Sequence, residues 1–117
     1  MPVHRRVEVS EVGDVTVVRF VDRKILDTAN IQELADELFA LVDTDNRKKL
    51  LLNFSRVEFL SSAALNKLIL LDRSVKKQRG LLKLCGLRPE IQEVFDITSL
   101  DRMFEIYDEE SDALPTF

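Results

Sequence analysis

Residues 50–65 read Leu50-Leu51-Leu52-Asn53-Phe54-Ser55-Arg56-Val57-Glu58-Phe59-Leu60-Ser61-Ser62-Ala63-Ala64-Leu65, and this stretch decides the fold. Its first three residues are continuously apolar, which suits a strand buried on both faces and therefore central in a sheet. Leu65, Leu68, Ile69 and Val75 then recur at helical spacing, with Leu70 and Leu71 widening the apolar face. A helix is expected from Ser62 to Arg79, closed by Gly80 as a C-terminal glycine. Arg73, Lys76, Lys77 and Arg79 gather in its last turns, where cations complement the negative end of the helix dipole. Leu81-Leu82-Lys83-Leu84-Cys85 returns as a strand, so residues 49–85 form one βαβ unit.

Working outward, Val7 and Val9, then Val15, Val17, Val18 and Phe20, make two β-branched runs around Gly13-Asp14, an N-terminal hairpin. Ile31, Leu34, Ala35, Leu38, Leu41 and Val42 form an apolar helical stripe ending near Asp43, with Asn30 and Glu33 spaced as a capping box. Pro89 suits the first turn of a short helix reaching about Phe95. Met103 to Tyr107 reads as a last strand and Asp108 to Leu114 as a final helical turn. Strands alternating with helices after a hairpin define the class: an α/β fold with a mixed β-sheet and flanking α-helices. A length of 117 residues argues for one domain over 1–117.

Composition removes several functions. One cysteine, Cys85, and one histidine, His4, cannot furnish a zinc site, and a net charge of -4 works against nucleic acid as a partner. No apolar run approaches the roughly 20 residues that cross a bilayer, and residues 1–10 hold no signal-peptide core. A cytoplasmic protein without membrane insertion is expected. His4 lies beside Arg5 and Arg6 with no serine and carboxylate at triad spacing, and Cys85 ends an apolar strand, so neither supports catalysis. Gly13, Gly80 and Gly86 are scattered singly, so no phosphate-cradling loop is present and no cofactor is expected. Residues 90–112 hold nine acids against Arg102 alone, a solvated face or a steering surface. Phe54, Phe59, Phe95 and Phe104 are expected in the core.

The carboxyl end of a βαβ strand and the start of the following helix form the usual site of such folds, because the first helical turn offers unpaired N–H groups and partial positive charge. Ser61-Ser62-Ala63-Ala64 lies there. On residue type alone, either serine serves as a helix cap.

The run from Asn53 to Leu65 resembles the signature of the STAS family, the anti-sigma factor antagonists, roughly Asp-x-Ser-x-Val-x-Phe-hydrophobic-Asp-Ser-Ser/Thr-Gly-Leu. The resemblance extends to the hairpin, to Asp27-Thr28-Ala29-Asn30, to Leu84-Cys85-Gly86-Leu87 and to Leu100-Asp101-Arg102-Met103-Phe104. It implies a non-catalytic binding module in a partner-switching pathway that regulates transcription. The serine phosphorylated in that family corresponds to Ser62. The implied partners are an anti-sigma factor or related ATP-dependent serine kinase, and a metal-dependent serine phosphatase that resets the switch. Asn53, Ser55, Arg56, Ser61, Ser62, Ala63, Asn66 and Lys67 are the implied partner-binding residues, and Arg56 and Lys67 would soften the cost of a phosphate if they reach it. This chain departs from the signature at Asn53 and Ser61, where the family has Asp, and at Ala63-Ala64, where it has Ser/Thr-Gly. Ser61 is therefore a second candidate for modification. A structural role in a stress-sensing assembly or a lipid-transport complex is the alternative, and an oligomer is compatible with either.

Overall fold

The computed structural model describes residues 6–117; His4 and Arg5 lie outside the described residues. Strands β1 (Val7–Val12) and β2 (Val15–Phe20) form the expected hairpin, paired from Val7↔Phe20 to Val12↔Val15 across the two-residue turn Gly13-Asp14, with Gly13 at φ +63°. After the short strand β3 (Lys24–Ile25) come helix α1 (Thr28–Asp43), strand β4 (Lys49–Asn53), the short strand β5 (Phe59–Leu60) and helix α2 (Ser62–Lys77). Strand β6 (Leu81–Cys85), helix α3 (Pro89–Ile97), a single 3₁₀ turn over Leu100–Arg102, strand β7 (Glu105–Tyr107) and helix α4 (Glu110–Ala113) complete the order, with a last 3₁₀ turn at Leu114–Thr116.

The main sheet runs β1-β2-β4-β6-β7, antiparallel at the hairpin and parallel from β2 onward. β4 is the middle strand of five, as its continuous apolarity requires. Side chains alternate across a strand, so Leu50, Leu52 and Phe54 face α1, α2 and α3, while Leu51 joins Val15, Val17 and Cys85 on the opposite face under Ala113. Phe20, Phe54, Phe95 and Phe104 stack in a row, with ring centroids 4.6, 6.5 and 5.9 Å apart, linking the hairpin to α3.

The sheet's second face carries two polar clamps. Arg19 Nη2 donates to both carboxylate oxygens of Glu110, at 2.7 and 2.9 Å. Buried Lys83 donates to the Thr116 carbonyl and hydroxyl, both at 2.8 Å, and pairs with Glu105 at 2.9 Å, beside the rings of Tyr107 and Phe117. These contacts hold the C-terminal segment against the sheet, where a bare lysine would be costly to bury.

Several boundaries differ from the sequence reading. The cap of α1 is Asp27, whose carboxylate accepts from the N–H groups of Ala29 and Asn30; Asn30 sits inside the first turn. α2 stops at Lys77, and its left-handed closing residue is Arg79 at φ +61°, not Gly80. The Arg79 N–H donates to the Lys76 carbonyl and the Gly80 N–H to that of Val75, a Schellman closure. Gly80 is required for space instead: a Cβ there would lie 2.5 Å from the Lys48 carbonyl oxygen. α3 runs on to Ile97, and β7 begins only at Glu105 because Met103 and Phe104 complete the preceding turn. Phe59 is not core; it is half exposed on β5.

Candidate functional site

The site lies at the carboxyl ends of β4 and β6, where the chain turns from the sheet into α2. Asn53 Oδ1 accepts the Ser55 N–H at 2.8 Å, and the Val57 N–H donates to the Phe54 carbonyl at 2.9 Å, so the exit from β4 is a tight self-bonded turn. Gly86, at φ +71°, lets the β6 exit pass against it; a Cβ would come within 3.1 Å of Asn53 Oδ1. Arg88 closes the same contact by donating Nε–H to the Ser55 carbonyl at 3.2 Å.

From there the chain is carried to α2 by a small parallel sheet, Lys24↔Phe59 and Ile25↔Leu60. The N–H groups of Glu58 and Phe59 donate to the Arg23 carbonyl, and that of Ser61 to the Ile25 carbonyl at 3.0 Å. This sheet has no signal in the sequence, because two residues per strand leave no periodicity to read.

Ser61 is the N-cap of α2. Its backbone is extended at φ -76°, ψ 163°, and its Oγ accepts the Ala64 N–H at 3.2 Å. Ser62 is the first residue of the helix and is exposed. Its hydroxyl has no hydrogen-bond partner among the described residues, and neither do the N–H groups of Ser62 and Ala63. The two adjacent serines are therefore chemically distinct: one hydroxyl is committed to the backbone, and the other faces solvent at the positive end of a sixteen-residue helix.

Ala63 and Asn66 are exposed beside Ser62, with Asn66 one turn along the same face. Ser55 and Arg56 are exposed on the β4 exit, and Asn53 is half-buried at the sheet end. Two residues point elsewhere. Arg56 pairs with Glu8 of β1 at 3.3 Å, and Lys67, five residues after Ser62 and so about 140° around the helix, lines the narrow apolar cleft between α1 and α2 with Ile31, Leu34 and Ala64. Among the described residues no cluster of His, Cys, Asp or Glu could hold a metal ion. Burial pushes the Cys85 thiol up to about 12, which keeps it protonated and unreactive.

The family model for the STAS domain matches residues 6–113. The chain belongs to the STAS domain family. A protein named as an anti-sigma factor antagonist, BtrV of Bordetella bronchiseptica, is 31% identical to this STAS domain over 93 residues, covering 80% of this chain and 79% of that one. The crystal structure of an anti-sigma factor antagonist from Thermotoga maritima superposes with a TM-score of 0.85 at 25% identity, covering 97% of this chain and 95% of that one. A STAS domain protein from Planctomyces limnophilus superposes with a TM-score of 0.84, also at 25% identity, covering 94% and 96%. No helix of this STAS domain, among the described residues, is long and apolar enough to cross a membrane.

Proposed function

We propose that this STAS domain is an anti-sigma factor antagonist, a cytoplasmic binding module without catalysis or cofactor of its own, switched by phosphorylation of Ser62. The observation that carries the reading is the division of labour between the two serines: Ser61 Oγ is held by the Ala64 N–H, whereas Ser62 is exposed and uncommitted at the helix start. The class of partner is taken from the relatives named as anti-sigma factor antagonists.

In this mechanism the unmodified domain, acting as one unit over residues 1–117, binds an anti-sigma factor that is also a serine kinase and so frees whatever that partner represses. The kinase transfers the γ-phosphoryl group of ATP to Ser62 Oγ; the hydroxyl proton goes to solvent or a kinase base, and ADP leaves. The new group carries about -1.5 to -2 charges. The unpaired N–H groups of Ser62 and Ala63 and the helix dipole stabilise that charge, so the fold persists. The partner meets a bulky dianion where it had met a neutral hydroxyl, and a penalty of roughly 1–3 kcal/mol weakens binding about 5- to 150-fold. A serine phosphatase hydrolyses the ester and resets the switch. Asn53, Ser55, Ser61, Ala63 and Asn66 complete the partner contact around Ser62, whereas Arg56, paired with Glu8, and Lys67, on the cleft between α1 and α2, stand outside it.

The test is to incubate the domain with its kinase and ATP, locate the phosphate by mass spectrometry and measure partner affinity by calorimetry for the wild type, Ser62→Ala and the phosphorylated form. Phosphate on Ser62 and a loss of affinity only on phosphorylation are expected. Equal affinity of the two wild-type forms, or phosphate confined to Ser61, overturns the proposal.

A further inference from the structure

Among the described residues, the second face of the main sheet is covered by residues 109–117, and this cover is attached unlike any other element. Val15 and Val17 of β2, Leu51 of β4 and Cys85 of β6 are all buried beneath it, at 4% exposure or less. Of the nine residues above them only Ala113 is buried; Glu110, Leu114 and Phe117 are half-buried, and the other five are exposed. The first face, by contrast, is packed under α1, α2 and α3, each of which buries its own apolar stripe.

Backbone-to-backbone hydrogen bonds of this segment stay inside it, among the described residues. The N–H groups of Asp112 and Ala113 donate to the Glu109 carbonyl, that of Leu114 to the Glu110 carbonyl and that of Phe117 to the Leu114 carbonyl, while the ladder of the main sheet ends at Tyr107. Gly86 fixes the chain just before the segment, donating its N–H to the Tyr107 and Asp108 carbonyls, both at 3.1 Å. Beyond that anchor the polar hold on the sheet is two side-chain clamps, Arg19 on Glu110 and Lys83 on Thr116, with the Lys83 ammonium 5.0 Å from the centre of the Phe117 ring. Thr116 Oγ1 in turn donates to the Ala113 carbonyl at 2.6 Å, which ties the second clamp to the one buried residue.

A segment whose backbone bonds close on themselves leaves a sheet without breaking a ladder, and elements with few buried contacts open at free energies well below that of the whole domain. Departure is opposed by the exposure of Val15, Val17, Leu51 and Cys85 to water and by the loss of the two clamps, so the closed form predominates. We infer that residues 109–117 are a latched strap, which lifts as a unit about Asp108 and Glu109 while the rest of the domain stays folded. Its lifting opens a second apolar face, on the side of the sheet away from α2, and so gates a surface that the Ser62 switch does not use. Glu109 has extended backbone, at φ -135° and ψ 161°, and both it and Asp108 are exposed, so rotation there displaces no packed side chain.

The thiol of Cys85 reports the opening, because it lies under the strap and is buried in the closed form. The full chain is incubated with iodoacetamide at pH 8, and alkylation of Cys85 is followed by mass spectrometry, in buffer and in dilute urea, for the wild type, Glu110→Ala and Thr116→Val. Ile31→Val and Leu34→Ala, in the core under α1, serve as controls that lower global stability and leave the strap untouched; the milder Ile31→Val keeps the comparison valid if Leu34→Ala fails to fold. Global stability of each variant comes from urea denaturation followed by circular dichroism. Expected is wild-type alkylation at least tenfold faster than global unfolding allows, and nearly independent of urea well below the transition, because lifting the strap exposes little surface. Glu110→Ala and Thr116→Val should each speed alkylation about three- to tenfold, and the two controls should keep the wild-type rate although they unfold in less urea. Alkylation that follows global stability in every variant, the controls included, overturns the strap, as does alkylation indifferent to Glu110→Ala and Thr116→Val.

Discussion

Replacing Ser61 by alanine separates the roles of the two serines by stability alone. The substitution deletes the Oγ that accepts the Ala64 N–H at 3.2 Å. Ala64 is buried, at 3% exposure, so water replaces the lost acceptor poorly and the loss falls in the upper part of the usual range for a cap, about 1–2 kcal/mol. Ser62→Ala removes a hydroxyl with no partner among the described residues and introduces a better helix former, so it should be neutral or stabilising by up to roughly 0.5 kcal/mol. Ser61→Asp keeps a capping oxygen and adds a charge favoured at the helix start, a gain of about 0.3–1 kcal/mol. Urea denaturation followed by circular dichroism measures all three. With a slope of about 1.5 kcal/mol per molar, Ser61→Ala should lower the midpoint by about 0.7–1.3 M at unchanged slope, and the order should be Ser61→Asp, wild type, Ser61→Ala. A Ser62→Ala variant that loses as much stability as Ser61→Ala would refute the reasoning, because the Ser62 hydroxyl would then be the cap and not a free acceptor of phosphate.

The closure of α2 gives two opposite effects two atoms of chain apart. Arg79→Gly relieves a left-handed residue and should stabilise by about 1 kcal/mol, whereas Gly80→Ala drives a Cβ into the Lys48 carbonyl and should destabilise by about 1–3 kcal/mol, both read from the same urea titration. Cys85 should resist Ellman's reagent at pH 8 in the native state and react at once in denaturant. Its folded pKa lies above the unfolded value of 9.0, so the associated stability is complete below pH 9 and declines as pH rises toward 12; Cys85→Ala should flatten that alkaline slope. Glu105 behaves in the opposite sense. Its carboxyl is lowered by the hydrogen bond and charge of Lys83, so the stability it lends is present above the usual carboxylate range and lost as pH falls through its folded value, and Glu105→Gln should flatten the acid limb of a pH titration of thermal stability.

Whatever depends on long apolar periodicity was legible from the sequence. Leu50-Leu51-Leu52 determined a strand covered on both faces, and the stripes from Ile31 to Val42 and from Leu65 to Val75 determined the two helices beside it, because burial of that much apolar surface outweighs every local alternative. The signature from Asn53 to Leu65 placed the candidate switch at the start of α2 for the same reason: a strand end and a helix start adjacent in sequence are adjacent in space. Short-range choices were decided by tertiary contact. Which of two consecutive serines caps α2 depends on the Ile25 carbonyl fixing the Ser61 backbone, and Arg79 takes the left-handed position because Lys48 leaves no room for anything but glycine at position 80. Phe59 reads as core by its neighbours, yet pairing of β5 with β3 turns Leu60 inward and Phe59 out. Two residues of strand are enough to make that choice, since a shift of one residue exchanges the faces, and nothing in the local sequence carries the register; the partner strand, thirty-five residues away, supplies it.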